Sequence, residues 1–179
     1  MNTDFTRNKI LGGALFGWWQ SLQDDRGARA VLRRANDITA VVMTPAFQRL
    51  RQRLLTAGWI ERTPGSSYED ALAATAGLAA HVDVHADGVS IPKAMGEHVS
   101  ELRFLRLLNS PDIEAVFSGI RRLMPLMDRE LDVRILARDV INWGDVVKRR
   151  WTYEYAWPDP DTASRRSHEP NIKTASNDS

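Results

Sequence analysis

Residues 26–62 read RGARAVLRRANDITAVVMTPAFQRLRQRLLTAGWIER, and the interpretation of the whole chain starts from this stretch. It carries eight arginines against two acids, although the formal net charge of the chain is only +1. The arginines are Arg26, Arg29, Arg33, Arg34, Arg49, Arg51, Arg53 and Arg62, and the acids are Asp37 and Glu61. Positive charge is therefore concentrated here, and a function for the chain must explain what these arginines contact.

The spacing of residues predicts that this stretch begins with an amphipathic helix. Arg26, Arg29 and Arg33 follow one another at i, i+3 and i+7, whereas the apolar residues fall on the opposite side. Asp24 and Asp25 precede the helix, where its dipole favours acids. One face is thus predicted to pack and the other to present guanidinium groups.

A second helix is predicted to begin at Thr44-Pro45, a capping residue followed by the proline that suits the first helical position. Its apolar and basic sides separate. Phe47, Leu50 and Leu54 form the expected buried edge, and Arg49 and Arg53 lie toward the other side. Arg51 is level with the apolar edge, so we expect its stem to cover the core.

Length and composition are those of an ordinary globular protein. A chain of 179 residues can bury a core without metals or disulfides, and 43% hydrophobic and 26% charged residues are typical values. The absence of cysteine excludes disulfides and cysteine-ligated zinc, and it fits a reducing cytoplasm, the expected location. Residues 10–22 are interpreted as a helix and not as a signal peptide. No apolar run approaches the roughly 18 residues that suggest a membrane span.

Further helices are predicted over about residues 68–84, 101–108, 110–123 and 133–155, the third of them ending or kinking before Pro125. In the helix over 101–108 we expect Leu102, Leu105 and Leu108 to face inward, with Arg103 and Arg106 at the flank. Because no segment alternates with period two, the predicted fold class is all-α, a helical bundle. Two small helical subdomains are expected at 1–86 and 87–157, and the polar segment 158–179 is predicted to be a disordered tail.

Catalytic chemistry has no visible basis in the sequence. His81 and His85 stand at i, i+4 on a predicted helix, a spacing that can hold a metal, but a third ligand of known geometry is missing. A surface pair at a helix end is the preferred interpretation, and a metal-dependent nuclease ranks last among the hypotheses. We therefore expect no enzymatic activity, no bound metal and no cofactor.

The aromatic and basic residues each allow two interpretations. Aromatic rings beside cations bind single strands, but Trp18, Trp19, Trp143 and Trp151 fall on or beside apolar stripes, which favours core packing. A basic helical face can be solvated, can bind an acidic protein as an adaptor does, or can contact nucleic acid. The scarcity of nearby acids raises the odds of nucleic acid, because only Asp37 is available to pair with the arginines around it.

The order of short motifs resembles a known family, the small subunit of the type I-E CRISPR surveillance complex Cascade, or CasB family. The motifs span about residues 14–157 and are collinear with the family. They are Trp18 or Trp19 with Leu22; Arg33-Arg34; Pro45-Ala46-Phe47 with Leu50; Gly88-Val89-Ser90-Ile91 with Ala94-Met95; Arg103-Phe104-Leu105; Ile120-Arg121-Arg122-Leu123; and Leu136-Ala137-Arg138 leading to Trp143-Gly144.

The resemblance implies a helical subunit without catalytic activity, present in two copies per complex beside other Cascade subunits and crRNA. Its basic surfaces would hold the displaced strand of target DNA and the path of the target strand. The residues it points to are Arg33, Arg34, Arg103, Arg121, Arg122 and Arg138. To these the charge pattern adds Arg26, Arg29, Arg49 and Arg53. The chain departs from the family pattern at Asp145 and Val146, where the family can have basic residues, and Lys148 and Arg149 are included because the cations at 148–150 follow closely and are expected to substitute.

Overall fold

The computed structural model describes residues 4–60 and 67–159. Within these ranges the chain forms ten α-helices, one two-stranded parallel sheet and a short 3-10 turn at Met124–Leu126. The helices are α1 (Lys9–Asp24), α2 (Arg26–Arg34), α3 (Ile38–Val42), α4 (Pro45–Thr56), α5 (Ser67–Ala79), α6 (Ile91–Met95), α7 (Glu101–Leu108), α8 (Ile113–Leu123), α9 (Val133–Ile141) and α10 (Asp145–Glu154). The strands are β1 (Val84–His85) and β2 (Glu130–Leu131), with Val84 opposite Glu130 and His85 opposite Leu131. The predicted all-α class and helical bundle are confirmed, although the small sheet was not predicted.

Helix α5 lies at the centre of the bundle. It packs against α3, α8 and α9, and every residue from 71 to 80 is buried. Its small side chains allow this close packing: a Cβ at Gly77 would lie 2.8 Å from the ring of Phe117 on α8 and 2.9 Å from Val41 on α3. Substituting a larger residue there would force two neighbouring helices apart.

The helix starts follow the predicted capping chemistry in most cases. The side chain of Asp25 accepts from the amide of Ala28 at 2.9 Å, and that of Thr44 accepts from Phe47 at 3.2 Å. Helix α8 begins later than predicted because Asp112, and not Ser110, is its cap. Its end at Leu123, before Pro125, agrees with the sequence.

The prediction of a single long helix over 133–155 is wrong, because the helix is interrupted at residues 142–144, between α9 and α10. The backbone and side-chain amides of Asn142 both donate to the carbonyl of Arg138, at 3.1 and 2.7 Å, and so close the last turn of α9. Gly144 then precedes α10 in an extended conformation. Glycine has a low helix propensity, which favours an interruption of the helix at this position.

Helix α7 is rotated relative to the prediction. Phe104 and Leu107 are buried, whereas Leu102 and Leu105 are 58% and 36% exposed. The ring of Phe104 stacks on Tyr155 at a centroid distance of 4.0 Å, so the end of α10 selects the buried face of α7.

The core is a single cluster of buried apolar residues to which α1, α4, α5, α8 and α9 all contribute. Trp18, Trp19 and Trp151 are buried in it, as predicted, and Trp143 lies half-buried against Trp151 at 5.1 Å. The subdomain boundary at 86/87 remains a prediction. The stretch 61–66, with Glu61 and Arg62, and most of the predicted tail (160–179) lie outside the described residues. No helix in the described ranges has the length and apolar character needed to cross a membrane.

Candidate nucleic-acid interface

A groove of about 720 Å³ runs between α7 and α8, and three arginines line it. Arg103 and Arg106 come from α7, one helical turn apart, and Arg122 comes from the last turn of α8. We call this site, defined by these three residues, the α7–α8 groove. Its close-packed side depends on Gly119, where a Cβ would lie 2.8 Å from the side chain of Leu107.

The acids that also line the α7–α8 groove are engaged with backbone amides. Asp112 caps α8 by accepting from the amide of Ala115 at 2.8 Å. The Glu114 carboxylate accepts from the amide of Ile38, with oxygens at 3.2 and 3.3 Å, and so joins α8 to the start of α3. Neither carboxylate forms an ion pair with an arginine of the groove.

The three groove arginines form no ion pair with these two acids. Arg103, Arg106 and Arg122 are exposed, and none has an ion-pair partner within the part of the chain that the structure describes. Guanidinium groups that share one concave surface create a positive local potential, and each can donate two parallel hydrogen bonds to a phosphate. The α7–α8 groove has the chemistry of an anion-binding surface with an apolar floor at Leu107 and Leu123.

Arg29 and Arg33 have a different environment, because α2 turns them toward the end of α5. Arg29 donates to the carbonyls of Ala80 at 3.1 Å and Val82 at 2.9 Å, and Arg33 donates to Ala80 at 2.7 Å. Both also pair with Asp83, at 2.7 and 2.6 Å. The expectation that Arg33 is exposed is wrong: it is half-buried, and its Nε donates to one carbonyl just beyond the end of α5.

Arg121 points away from its neighbour Arg122 and toward the end of α5, where Arg29 and Arg33 also lie. It is half-buried, and its Nη2 donates to the side-chain oxygen of Asn36 at 3.0 Å. His81 lies nearby, and burial together with the positive charges of Arg33, Arg121 and Arg129 lowers its pKa from 6.5 to about 4. Burial of the ring contributes most to this lowered pKa, and the three nearby arginines lower it further against the opposing effect of the Asp83 carboxylate.

Four predicted residues lie at the surface of α2 and α4. Arg26 and Arg34 are exposed and have no ion-pair partner in the described ranges. Arg49 is exposed and lies 3.7 Å from Asp25. Arg53 is also exposed, and its guanidinium lies where α1 has no side chain, 3.2 Å from the position of a Cβ on Gly17. Arg26 and Arg34 therefore have fewer contacts with the rest of the described chain than Arg49, which lies near Asp25, and Arg53, which lies against α1.

Arg138 is bound internally. Its Nε donates to Asp139 at 2.8 Å, and Asp139 is only 1% exposed. The same carboxylate accepts from Arg150 and, at 2.7 Å, from the indole N–H of Trp151. This buried cluster ties α9 to α10, so Arg138 serves the fold at this position.

The remaining predicted pair lies on α10. Lys148 is half-buried, with its ammonium 5.8 Å from the ring centre of Trp143. Arg149 is exposed, and its Nε donates to the carbonyl of Asp145 one turn earlier at 3.3 Å. Arg149 therefore points a guanidinium into solvent, whereas Lys148 covers an aromatic side chain.

Arg106 was missing from the predicted site residues. Its spacing from Arg103, three residues on one helix, was the signal that could have found it. Arg103 was predicted because it begins the family motif Arg103-Phe104-Leu105, and Arg106 lies just outside that motif.

The two histidines do not form the predicted pair on a helix. His81 follows the end of α5, and His85 lies in β1 with its ring 4.8 Å from that of Phe16. Within the described ranges, one group of three metal-capable side chains occurs, namely His85, Asp87 and Asp132. The Arg134 guanidinium lies among them, with Nη2 2.5 Å from Asp87 and Nε 3.2 Å from Asp132, so an internal cation already pairs with both carboxylates.

Solved structures share this fold. A chain in the crystal structure of E. coli Cascade bound to a PAM-containing dsDNA target has a TM-score of 0.62 at 23% identity, covering 79% of this chain and 93% of its own length. CasB from Thermus thermophilus has a TM-score of 0.62 at 25% identity, covering 82% of this chain and 95% of its own. A search of curated proteins found no match.

The family comparison covers most of the chain, including the arginines of the α7–α8 groove and those near the end of α5. Residues 28–155 match the family described as CRISPR-associated protein Cse2. The matched range takes in α2 from residue 28 onward, α5 and the α7–α8 groove. The resemblance to the Cascade small subunit is thereby confirmed, and the chain belongs to the CRISPR-associated protein Cse2 family.

Proposed function

We propose that this chain is a non-catalytic subunit of a type I-E CRISPR surveillance complex that holds nucleic acid in the α7–α8 groove. The observation that carries the proposal is the convergence of Arg103, Arg106 and Arg122 on one groove without ion-pair partners in the described ranges. The family match and the fold shared with a chain of DNA-bound E. coli Cascade support it. Its role is to stabilise the displaced strand and so the R-loop.

The energetics of target recognition make such contacts effective. Replacing a DNA duplex by an RNA–DNA heteroduplex is nearly balanced in free energy, so modest protein contacts with the opened strands tip the exchange. Arginine contacts to phosphate need not read the sequence. Because each neutralised phosphate releases counterions, the affinity falls with salt with a log–log slope of about −0.7 per contact on a single strand.

The arginines divide into two roles under this proposal. The groove residues, together with the exposed Arg26, Arg34 and Arg149, contact phosphates. Arg29, Arg33 and Arg138 donate to carbonyls or carboxylates of the chain itself, and so they position helices and do not contact the strand directly. The partners are the other Cascade subunits, crRNA, target DNA and a second copy of this chain, and the proposed location is the cytoplasm.

The test compares two triple variants that remove the same charge. Arg103→Ala/Arg106→Ala/Arg122→Ala removes the groove cations. Arg7→Ala/Lys9→Ala/Lys93→Ala removes three exposed cations outside the groove. Fluorescence anisotropy with labelled single-stranded DNA is measured over a range of salt, for the full chain and for the reconstituted complex, and R-loop lifetime is measured for the complex.

We expect the groove variant to shorten the R-loop lifetime and to reduce the magnitude of the salt slope by about 2, the sum of three contacts. The control variant should change both values much less. Equal effects of the two variants, with assembly intact, would show that the α7–α8 groove has no special role.

A second candidate function is a helical adaptor that binds a neighbouring protein subunit and no nucleic acid. The exposed Leu102 and Leu105 on the outer face of α7 favour it. Under this alternative, wild type shows no salt-sensitive DNA binding in either form, whereas Leu102→Ser lowers incorporation into the complex. Salt-sensitive binding that depends on the groove arginines excludes it.

A further inference from the structure

Helix α10 presents a bare aromatic ring to solvent. Tyr153 is 88% exposed, and it forms no hydrogen bond or ring contact within the described part of the chain. Val146, which is 70% exposed, and Arg149 precede it by seven and four residues. Residues at these spacings share one face of a helix, so the three side chains form an outward stripe.

Tyr153 is unusual among the aromatic side chains of the described residues, most of which are buried or half-buried. Trp157 is 46% exposed, but its indole N–H donates to the carbonyl of Thr152 at 2.8 Å and its ring packs edge-on against Tyr155 at 5.2 Å. The ring of Tyr153 therefore adds nothing visible to the fold and has a free π-face.

The charge beside this ring is positive and available. Of the three consecutive cations on α10, Arg150 is bound to Asp139 and Lys148 lies over Trp143. Arg149 keeps its guanidinium exposed one turn before Tyr153. On a helix, residues four apart have neighbouring side chains.

We propose that Tyr153 stacks on one base of a single-stranded nucleic acid while Arg149 binds an adjacent phosphate. A flat ring beside an exposed guanidinium matches the two chemical parts of a nucleotide, and such stacking accepts every base. A protein partner would call for a broader apolar patch, yet Val146 is the only other exposed apolar side chain in the stripe.

The helix that carries the stripe is linked to the helix that carries two of the groove arginines. The chain end that follows α10 packs on α7, since Tyr155 stacks on Phe104 and donates to the carbonyl of Val99 at 2.6 Å. Helix α7 also carries two arginines of the α7–α8 groove. This inference rests on the proposed function, because it extends the same strand from the groove helix to α10.

The test separates base stacking from phosphate binding with two probes and three variants. The probes are fluorescein-labelled oligo-dT and an abasic oligomer of the same length, which keeps the phosphates and lacks the bases. The variants are Tyr153→Leu, Tyr153→Phe and Arg149→Ala in the full chain, measured by anisotropy over a range of salt. Phenylalanine is the matched control because it keeps the ring.

We expect Tyr153→Leu to weaken binding of oligo-dT by about 5- to 150-fold, the range for one stacked base, with the salt slope unchanged. The same variant should bind the abasic oligomer as wild type does, and Tyr153→Phe should bind both probes normally. Arg149→Ala should reduce the magnitude of the salt slope by about 0.7 on both probes.

Equal loss of affinity for both probes in Tyr153→Leu, or no loss for oligo-dT, would overturn the stacking proposal. Normal DNA binding with reduced incorporation of Tyr153→Leu into the complex would also overturn it and assign the stripe to a protein partner. If the groove variant weakens binding while Tyr153→Leu does not, the proposed function stands and only the stacking fails. If wild type shows no salt-sensitive binding alone or in the complex, both proposals fall.

Discussion

Replacing Arg33 by alanine should destabilise the protein, whereas the same change at the adjacent Arg34 should not. Arg33 Nε donates to the carbonyl of Ala80 at 2.7 Å, and its Nη2 pairs with Asp83 at 2.6 Å. Arg34 is exposed and has no ion-pair partner in the described ranges. The two residues therefore carry the same charge in different environments.

The magnitude follows from the two contacts of Arg33. A hydrogen bond from a charged donor contributes about 1.5–3 kcal/mol, whereas a partly exposed ion pair adds about 0–1 kcal/mol. Part of this is retained in the variant, because Arg29 Nε still donates to Ala80 at 3.1 Å and also pairs with Asp83. We expect a loss of about 2 kcal/mol in the free energy of unfolding, and in a chain of this length a decrease in Tm of about 4–8 °C.

Urea unfolding followed by circular dichroism measures this loss, provided that the m-values of the variant and of wild type are equal. Arg34→Ala is the matched control and should stay within about 0.5 kcal/mol of wild type. In the anisotropy assay the roles should reverse: Arg34→Ala reduces the magnitude of the salt slope by about 0.7, and Arg33→Ala leaves it unchanged under folded conditions. Equal stabilities, or a slope that changes only for Arg33→Ala, would refute the assignment of Arg33 to the fold.

Three further predictions concern the core and its pH dependence. Gly12→Ala should lower the free energy of unfolding by about 2 kcal/mol or more in urea unfolding, because the added Cβ would lie 2.2 Å from the carbonyl oxygen of Phe5. In the same assay the control Gly13→Ala should stabilise α1 by up to about 1 kcal/mol, because its added Cβ would meet nothing within 4 Å. Asp139→Asn should cost about 3–5 kcal/mol in the same assay, because it removes the charge that two guanidinium groups share in a buried site, and a loss below about 1 kcal/mol would contradict this. The lowered pKa of His81 means that the unfolded chain binds more protons between pH 6.5 and about 4, so stability should fall as the pH falls through this window, and His81→Gln should show a smaller fall.

Local signals predicted several of the helix boundaries. At Asp25, Thr44 and Pro125 the deciding interaction lies within three or four residues, either a side-chain oxygen on a backbone amide or a ring that ends the helix. Such contacts depend only on neighbouring residues. The all-α class also followed from local pattern, since the only strands in the described ranges are two residues long.

The facing of α7 could not be predicted in this way. Leu102 and Leu105 are as well spaced for a buried stripe as Phe104 and Leu107 are. What decides between them is a ring 51 residues away, because Tyr155 stacks on Phe104. Propensity and periodicity contain no information about that partner, so the α7–α8 groove was predicted only in part.

The same limit explains why charge alone misjudged the arginines. Consecutive residues on a helix point about 100° apart, so Arg121 and Arg122 cannot serve the same surface. Arg121 turns toward Asn36 and the cluster at the end of α5, and Arg122 turns into the α7–α8 groove. Arginines whose donors are used by carbonyls and carboxylates of the chain itself hold helices together, and arginines without such partners in the described ranges keep their donors available. The internal hydrogen-bond and ion-pair partners of each arginine, and not the density of arginine in the sequence, therefore separate the residues that build this fold from those proposed to bind a strand.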